Sequence, residues 1–289
     1  MFKKRVAVIA TVLIATLLFA SSVLASTIDP VSRTITTSQY YVDFDDANPE
    51  EIVDLRWNGS PNLTNSAVVA GCADALEYFG NSWVTQDEGT PSFVFASLVG
   101  WGTTGTWNNK GSSNIDVHSS SSGCPGSLNV PVRTKYKFFD HGPVANRIQV
   151  HRTFSFGSTP LTYNLRAYIP RMYPSSDYSQ VLHPDASGTS LLTETSAACP
   201  FGCRVDDWDG SWFAIHSPTT GTGLIVRRGS SSVGAALWVD EDSASSTNAS
   251  NILLLSPAGG FTGNVSEVEF MCIYDSSIWS PSLSLPPGC

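Results

Sequence analysis

Residues 144–156, VANRIQVHRTFSF, alternate with a period of two. Only an extended strand, whose side chains point to opposite faces in turn, satisfies such a pattern. Val144, Asn146, Ile148, Val150, Arg152, Phe154 and Phe156 share one face, which is mostly apolar and reads as a core face. Ala145, Arg147, Gln149, His151, Thr153 and Ser155 share the other, with Arg, Gln and His in a row. Asp140-His141-Gly142-Pro143 just before has turn chemistry, and 132–139 before that is again strand-like. The two therefore form a hairpin. A second hairpin joins SWFAIH to GLIVRR through SPTTGT.

The rest of the chain has the same rhythm. Runs rich in Val, Ile, Thr, Tyr and Phe lie near 34–36, 40–44, 51–57, 92–99, 115–118, 161–169, 235–239, 252–255 and 267–274. Gly, Pro, Asn, Asp and Ser punctuate them. A short helix is expected at most once or twice, the best candidate being AVVAGCADALEYF over 67–79. No repeat of fixed period is visible, which argues against a propeller or solenoid. The pattern predicts an all-β fold, a large antiparallel two-sheet super-sandwich, as a single domain over residues 26–289.

Residues 1–25 read as a secretory signal peptide. Lys3, Lys4 and Arg5 precede an apolar run over 6–20, and Val23-Leu24-Ala25 ends in a small residue suited to cleavage. The expected protein is secreted and free of the membrane after cleavage. Cys72, Cys124, Cys199, Cys203, Cys272 and Cys289 then read as disulfide partners. The favoured pairing is Cys199–Cys203, Cys72–Cys124 and Cys272–Cys289. The Cys-x3-Cys spacing lacks a second cluster, so no metal site is expected, and no cofactor.

Charge gives the next constraint. The chain holds 16 Lys and Arg against 25 Asp and Glu, and three of those cations lie in the signal peptide. Such a balance repels nucleic acid, which is excluded as a partner. Yet seven cations crowd between 133 and 171, beside the single carboxylate Asp140. Sequential strands usually pair, so 132–139, 144–156 and 161–169 are expected side by side. One face would then display Arg133, Lys135, Lys137, Arg147, Gln149, His151, Asn164, Arg166 and Tyr168. Guanidinium groups pair bidentately with carboxylates and sulfates, so an acidic polysaccharide or oligosaccharide is the expected partner. The plainer alternative is the ordinary polar skin of a half-buried sheet, its cations paired with acidic loops.

Two segments carry a resemblance. YYVDFDDANPEEIVDLRWNGSPNLT resembles the opening hairpin of galactose mutarotase-like domains, and KYKFFDHGPVANRIQVHRTFSF is similar to their mid-domain hairpin. The resemblance implies a large antiparallel super-sandwich whose concave sheet binds carbohydrate, as in aldose epimerases and in domains of polysaccharide lyases and glycoside hydrolases. It also implies a late-strand general base, which here would fall on Glu267 or Glu269.

Elimination on a uronate polymer needs a cation to neutralise the carboxylate, a base for the neighbouring proton and an acid for the leaving oxygen. His151 supplies the base and Tyr168 the acid, with Arg133, Lys135, Arg147, Gln149, Asn164 and Arg166 binding substrate. The expected function is a secreted carbohydrate-active protein acting on an acidic glycan by lyase-type elimination. The alternative is a non-catalytic glycan-binding or cell-surface β-sandwich protein. A glycosidase would need two carboxylates. Asp206, Asp207 and Asp209 in RVDDWDGSW offer them, though the run also suits a tight Asp-Gly turn.

Overall fold

The computed structural model describes residues 27–29, 31–32, 34–37, 39–44, 52–57, 75–78, 84–85, 92–98, 102–119, 123–139, 147–160, 164–167, 177–199, 203–239, 241–242, 247–248 and 250–289. The expected leader over 1–25 and Tyr168 lie outside them. In chain order the strands are β1 (Thr27–Asp29), β2 (Thr34–Thr36), β3 (Tyr40–Phe44), β4 (Ile52–Trp57), β5 (Ala75–Tyr78), β6 (Val84–Thr85) and β7 (Ser92–Leu98). Then come β8 (Gly102–Ser119), β9 (Gly123–Phe139), β10 (Arg147–Ser155), β11 (Asn164–Ala167), β12 (Gln180–Pro184), β13 (Leu191–Thr195) and β14 (Cys203–Val205). The last are β15 (Trp212–His216), β16 (Gly223–Ser231), β17 (Ala235–Val239), β18 (Glu241–Asp242), β19 (Thr247–Asn248), β20 (Asn251–Leu254) and β21 (Asn264–Tyr274).

The fold is all-β, as the alternation predicts. A single 3-10 turn, Ser196–Ala198, is the only helical element among the described residues. Part of the expected helix over 67–79 is strand β5, which is flanked by β8 and β11. Two neighbours hold its backbone groups in a ladder, which outweighs local helix preference. Strands β1 to β4 pair in sequence as one sheet. The main sheet runs β13-β12-β15-β16-β21-β10-β9-β8-β5-β11-β20-β17-β14. It is antiparallel except where β5 meets β11.

The two layers close on one core. Ile35, Tyr40, Val42 and Leu55 from the first sheet are buried against Ile148, Val150 and Phe154 of β10 and against Phe213, Val226 and Met271 of the main sheet. Tyr40 joins the layers by more than area. Its hydroxyl donates to the Phe139 carbonyl and accepts from the Phe139 amide, both at 3.1 Å.

Both expected hairpins form. β9 pairs with β10 and β15 with β16. The expected meander does not continue. β10 is bordered on its other side by β21, not by the strand over 161–169. That strand survives as β11, which pairs with β20 and β5. The reason lies on the core face: β10 brings Arg152 into the interior, and β21 carries the carboxylates that neutralise it. His183 stands fully buried on β12.

Two of the expected disulfides are present. Cys199–Cys203 spans 5.5 Å between Cα atoms and Cys272–Cys289 spans 6.1 Å. The pair Cys72–Cys124 lies outside the described residues. No described helix is long and apolar enough to cross a membrane.

Candidate functional site

β10 has the two faces that its sequence predicts. Ile148, Val150, Arg152 and Phe154 are buried, and Arg147, Gln149, His151, Thr153 and Ser155 are half-buried on the reverse. Register extends that reverse face onto β9, where Lys137 stands opposite Gln149, Lys135 opposite His151 and Arg133 opposite Thr153. On the other side β21 sets Phe270 opposite Gln149, Val268 opposite His151 and Ser266 opposite Thr153. β16 then sets Arg227 opposite Phe270, and β15 sets Trp212 opposite Arg227. The predicted row thus gains β21 and β16. Asn164 and Arg166 stand on β11 and are not neighbours of β10.

Sequence reasoning missed Arg227. The signal was the dipeptide Arg227-Arg228 at the end of an apolar strand. Alternation sends Arg228 to the core and Arg227 to the outer face.

The Arg147 guanidinium lies between two rings, 4.6 Å from the Phe139 centroid and 4.8 Å from that of Phe270. Arg227 lies 4.6 Å from Phe270, reaching it from the opposite side of β21. A cation over an aromatic face is attracted by the ring quadrupole. Arg147 also donates from Nη1 to the Gly288 carbonyl at 3.2 Å. Burial, and then the nearby charge of Arg227, make the Arg147 proton easier to lose than in water. No Asp or Glu occupies this face on β10, β21, β16 or β15.

One end of the face is closed by the C-terminal segment. Trp279 packs edge-on against Trp212 at 5.8 Å and against Tyr274 at 4.9 Å. Its indole N–H donates to the Ser284 carbonyl at 2.9 Å. His216 and the Tyr274 hydroxyl share a hydrogen bond of 2.8 Å beneath it. Burial lowers the His216 pKa and raises that of Tyr274, so both are held neutral. Gly223 makes room for this packing. A methyl group there would meet the Ile215 carbonyl oxygen at 2.2 Å and the Tyr274 hydroxyl at 2.5 Å.

The core face holds a second charged group. Arg152 donates from Nη1 to Glu269 Oε2 at 2.7 Å, and Arg228 from Nε to Glu267 Oε1 at 3.2 Å. The bonds cross the register, since Arg152 stands opposite Glu267 and Arg228 opposite Glu269. Both carboxylates are fully buried. Burial, reinforced by Glu269, pushes Glu267 up to about 7. Burial also raises Glu269, against the pull of Arg152. A base must meet its substrate, and neither carboxylate reaches the surface. The late-strand base implied by the resemblance is an internal ion cluster in this structure.

The acidic run is a turn. The Asp209 carboxylate accepts from the Ser211 amide at 2.8 Å, Gly210 takes a left-handed φ of 81°, and Asp207 accepts from the Ala186 amide at 2.7 Å. Trp208 is buried and donates to the Trp212 carbonyl. No cluster of His, Cys, Asp or Glu among the described residues could hold a metal ion.

No protein-family model matches the chain, and no curated protein matches it. Among solved structures the fold is similar to an α-N-acetylgalactosaminidase from Bifidobacterium bifidum in complex with GalNAc. The identity is 9% and the TM-score 0.50, over 84% of this chain and 36% of that one. A heparan sulfate lyase from Pedobacter heparinus aligns at 11% identity and TM-score 0.41, over 87% of this chain and 36% of its own. The chain spans little more than a third of the length of either. At these identities the likeness to the first is one of fold.

Proposed function

We propose that this is a secreted carbohydrate-active protein that takes an acidic glycan along the outer face of β9, β10 and β21. One observation carries the reading. The register sets Lys137, Lys135 and Arg133 opposite Gln149, His151 and Thr153, on a half-open face without carboxylates on its other strands. A strip of cations in an acidic protein suits a polyanion, and the fold is shared with a glycosidase. In the catalytic form of this reading His151 takes the proton beside the uronate carboxylate, Lys135 neutralises that carboxylate, and the leaving oxygen takes its proton from solvent. The rival form is binding without chemistry. It is favoured by the two arginines, Arg147 and Arg227, since a guanidinium can pair with an anion without any proton to transfer.

The test is a panel of polyuronates and glycosaminoglycans, read for binding and for the ultraviolet absorbance of an unsaturated uronate product. Turnover that His151→Ala abolishes while binding persists establishes the lyase. Binding without turnover in the wild type establishes the binding protein. No binding by any acidic glycan at low salt refutes the reading.

A further inference from the structure

Six arginine side chains are described, and four of them meet a carboxylate: Arg56 with Asp54, Arg152 with Glu269, Arg204 with Asp206 and Arg228 with Glu267. Arg147 and Arg227 are the two with no carboxylate partner among the described residues. They are also the two that share a ring, Phe270. Bringing like charges together on a half-buried face is unfavourable. With 25 carboxylates in the chain, an internal partner would be easy to place. Instead β10 and β16 each aim one guanidinium at Phe270 from either side of β21, where the outer faces of β10, β21, β16 and β15 carry no acid.

We propose that Arg147 and Arg227 form a binding site for one oxyanion. Under the acidic-glycan reading, on which this identification rests, the oxyanion is the carboxylate of a uronic acid residue.

Three features support it. A guanidinium offers five donors in a planar fork that matches a two-oxygen anion. Arg147 uses one donor on Gly288, and the Nε of each arginine is buried without a hydrogen-bond partner among the described residues. Second, Arg147 is already fixed by two rings and a carbonyl, so little freedom is lost on binding. Third, Phe139 and Phe270 already carry guanidinium groups. Phe139 is buried and Phe270 carries two of them, so little aromatic surface is left for stacking a neutral sugar and charge decides what binds here.

The experiment is an NMR titration of the arginine Nε–Hε resonances with glucuronate, with glucose and with inorganic sulfate. It uses wild type, Arg227→Gln and Arg227→Lys. Glucuronate should shift the Arg147 and Arg227 signals and glucose should not. Arg227→Gln should weaken glucuronate binding at least about tenfold, the scale of one charge-assisted hydrogen bond. Arg227→Lys keeps the charge without the fork and should weaken it less, which preserves the test should the glutamine variant fail to fold. Sulfate binding at both arginines without glucuronate binding upholds the oxyanion site and overturns its assignment to a uronate. Acidic polymers that bind wild type and both variants equally overturn the site while leaving the glycan reading intact. Absence of any shift at Arg227 with either anion overturns the site outright.

Discussion

Arg152 is the residue at which the polar pattern and the core meet. It lies on the apolar face of β10 at 3% exposure, and Glu269 and Glu267 make that placement tolerable. Removing one partner of a buried pair leaves a charge without compensation, so Arg152→Ala should destabilise by about 3–5 kcal/mol in a urea unfolding experiment. Glu267 links the cluster to pH. Its folded pKa is raised from 4.5 to about 7, so between those values the folded state holds more protons than the unfolded chain. Stability from this group is then full below pH 4.5 and declines as pH rises to about 7. The shift corresponds to about 3 kcal/mol at most. The thermal midpoint should fall between pH 5 and pH 8, and Glu267→Gln should flatten that slope. An unchanged slope in the variant assigns the titration elsewhere. The sequence held a signal for this cluster: an arginine on a core face demands a buried acid, and Glu267 and Glu269 share one face of β21 with Val265, Met271 and Ile273. What it lacked was the pairing of β10 with β21, which joins residues more than a hundred positions apart.

Among the elements, the hairpins were legible because turn chemistry and alternation act locally. β8 and β9 were only half legible. Strands were expected over 115–118 and 132–139, while the ladder runs from Thr104 opposite Phe139 to Ser119 opposite Gly123. The β8 stretch is rich in Gly, Ser, Thr and Asn, which reads as loop. Its backbone is held by ladders with β9, β7 and β6 rather than by side-chain preference. The neighbours of β11 were missed for the matching reason, since no local signal names a distant partner. Tyr40 gives an element-scale test. Tyr40→Phe removes the hydroxyl that meets both Phe139 backbone groups across the two layers and should cost about 1–3 kcal/mol, with little change in the sheet signature by circular dichroism. A neutral result would show that the layers are joined by apolar area alone.

At the scale of the whole molecule, charge and cross-linking are the testable properties. Binding of an acidic polysaccharide should weaken steeply between low and physiological salt, because screening acts on each exposed cation–anion contact. Salt-independent binding would place the contact away from the cationic face. Thiol titration of the unfolded, unreduced protein should find no free thiol, in keeping with the two bridges described and the third expected at Cys72–Cys124. Severing Cys272–Cys289 should cost about 2–5 kcal/mol and release the segment that holds Gly288 on Arg147. The crossed ion cluster, finally, sets how this sequence can drift. Arg152, Arg228, Glu267 and Glu269 are coupled, so their substitution energies should not add. Any single replacement strands a buried charge, whereas exchanging an arginine and its glutamate together for apolar residues of similar volume need not destabilise. Descendants of this chain should therefore keep the four charges intact or lose them in pairs, and a lineage that has lost only one should carry a second change nearby that absorbs the orphan.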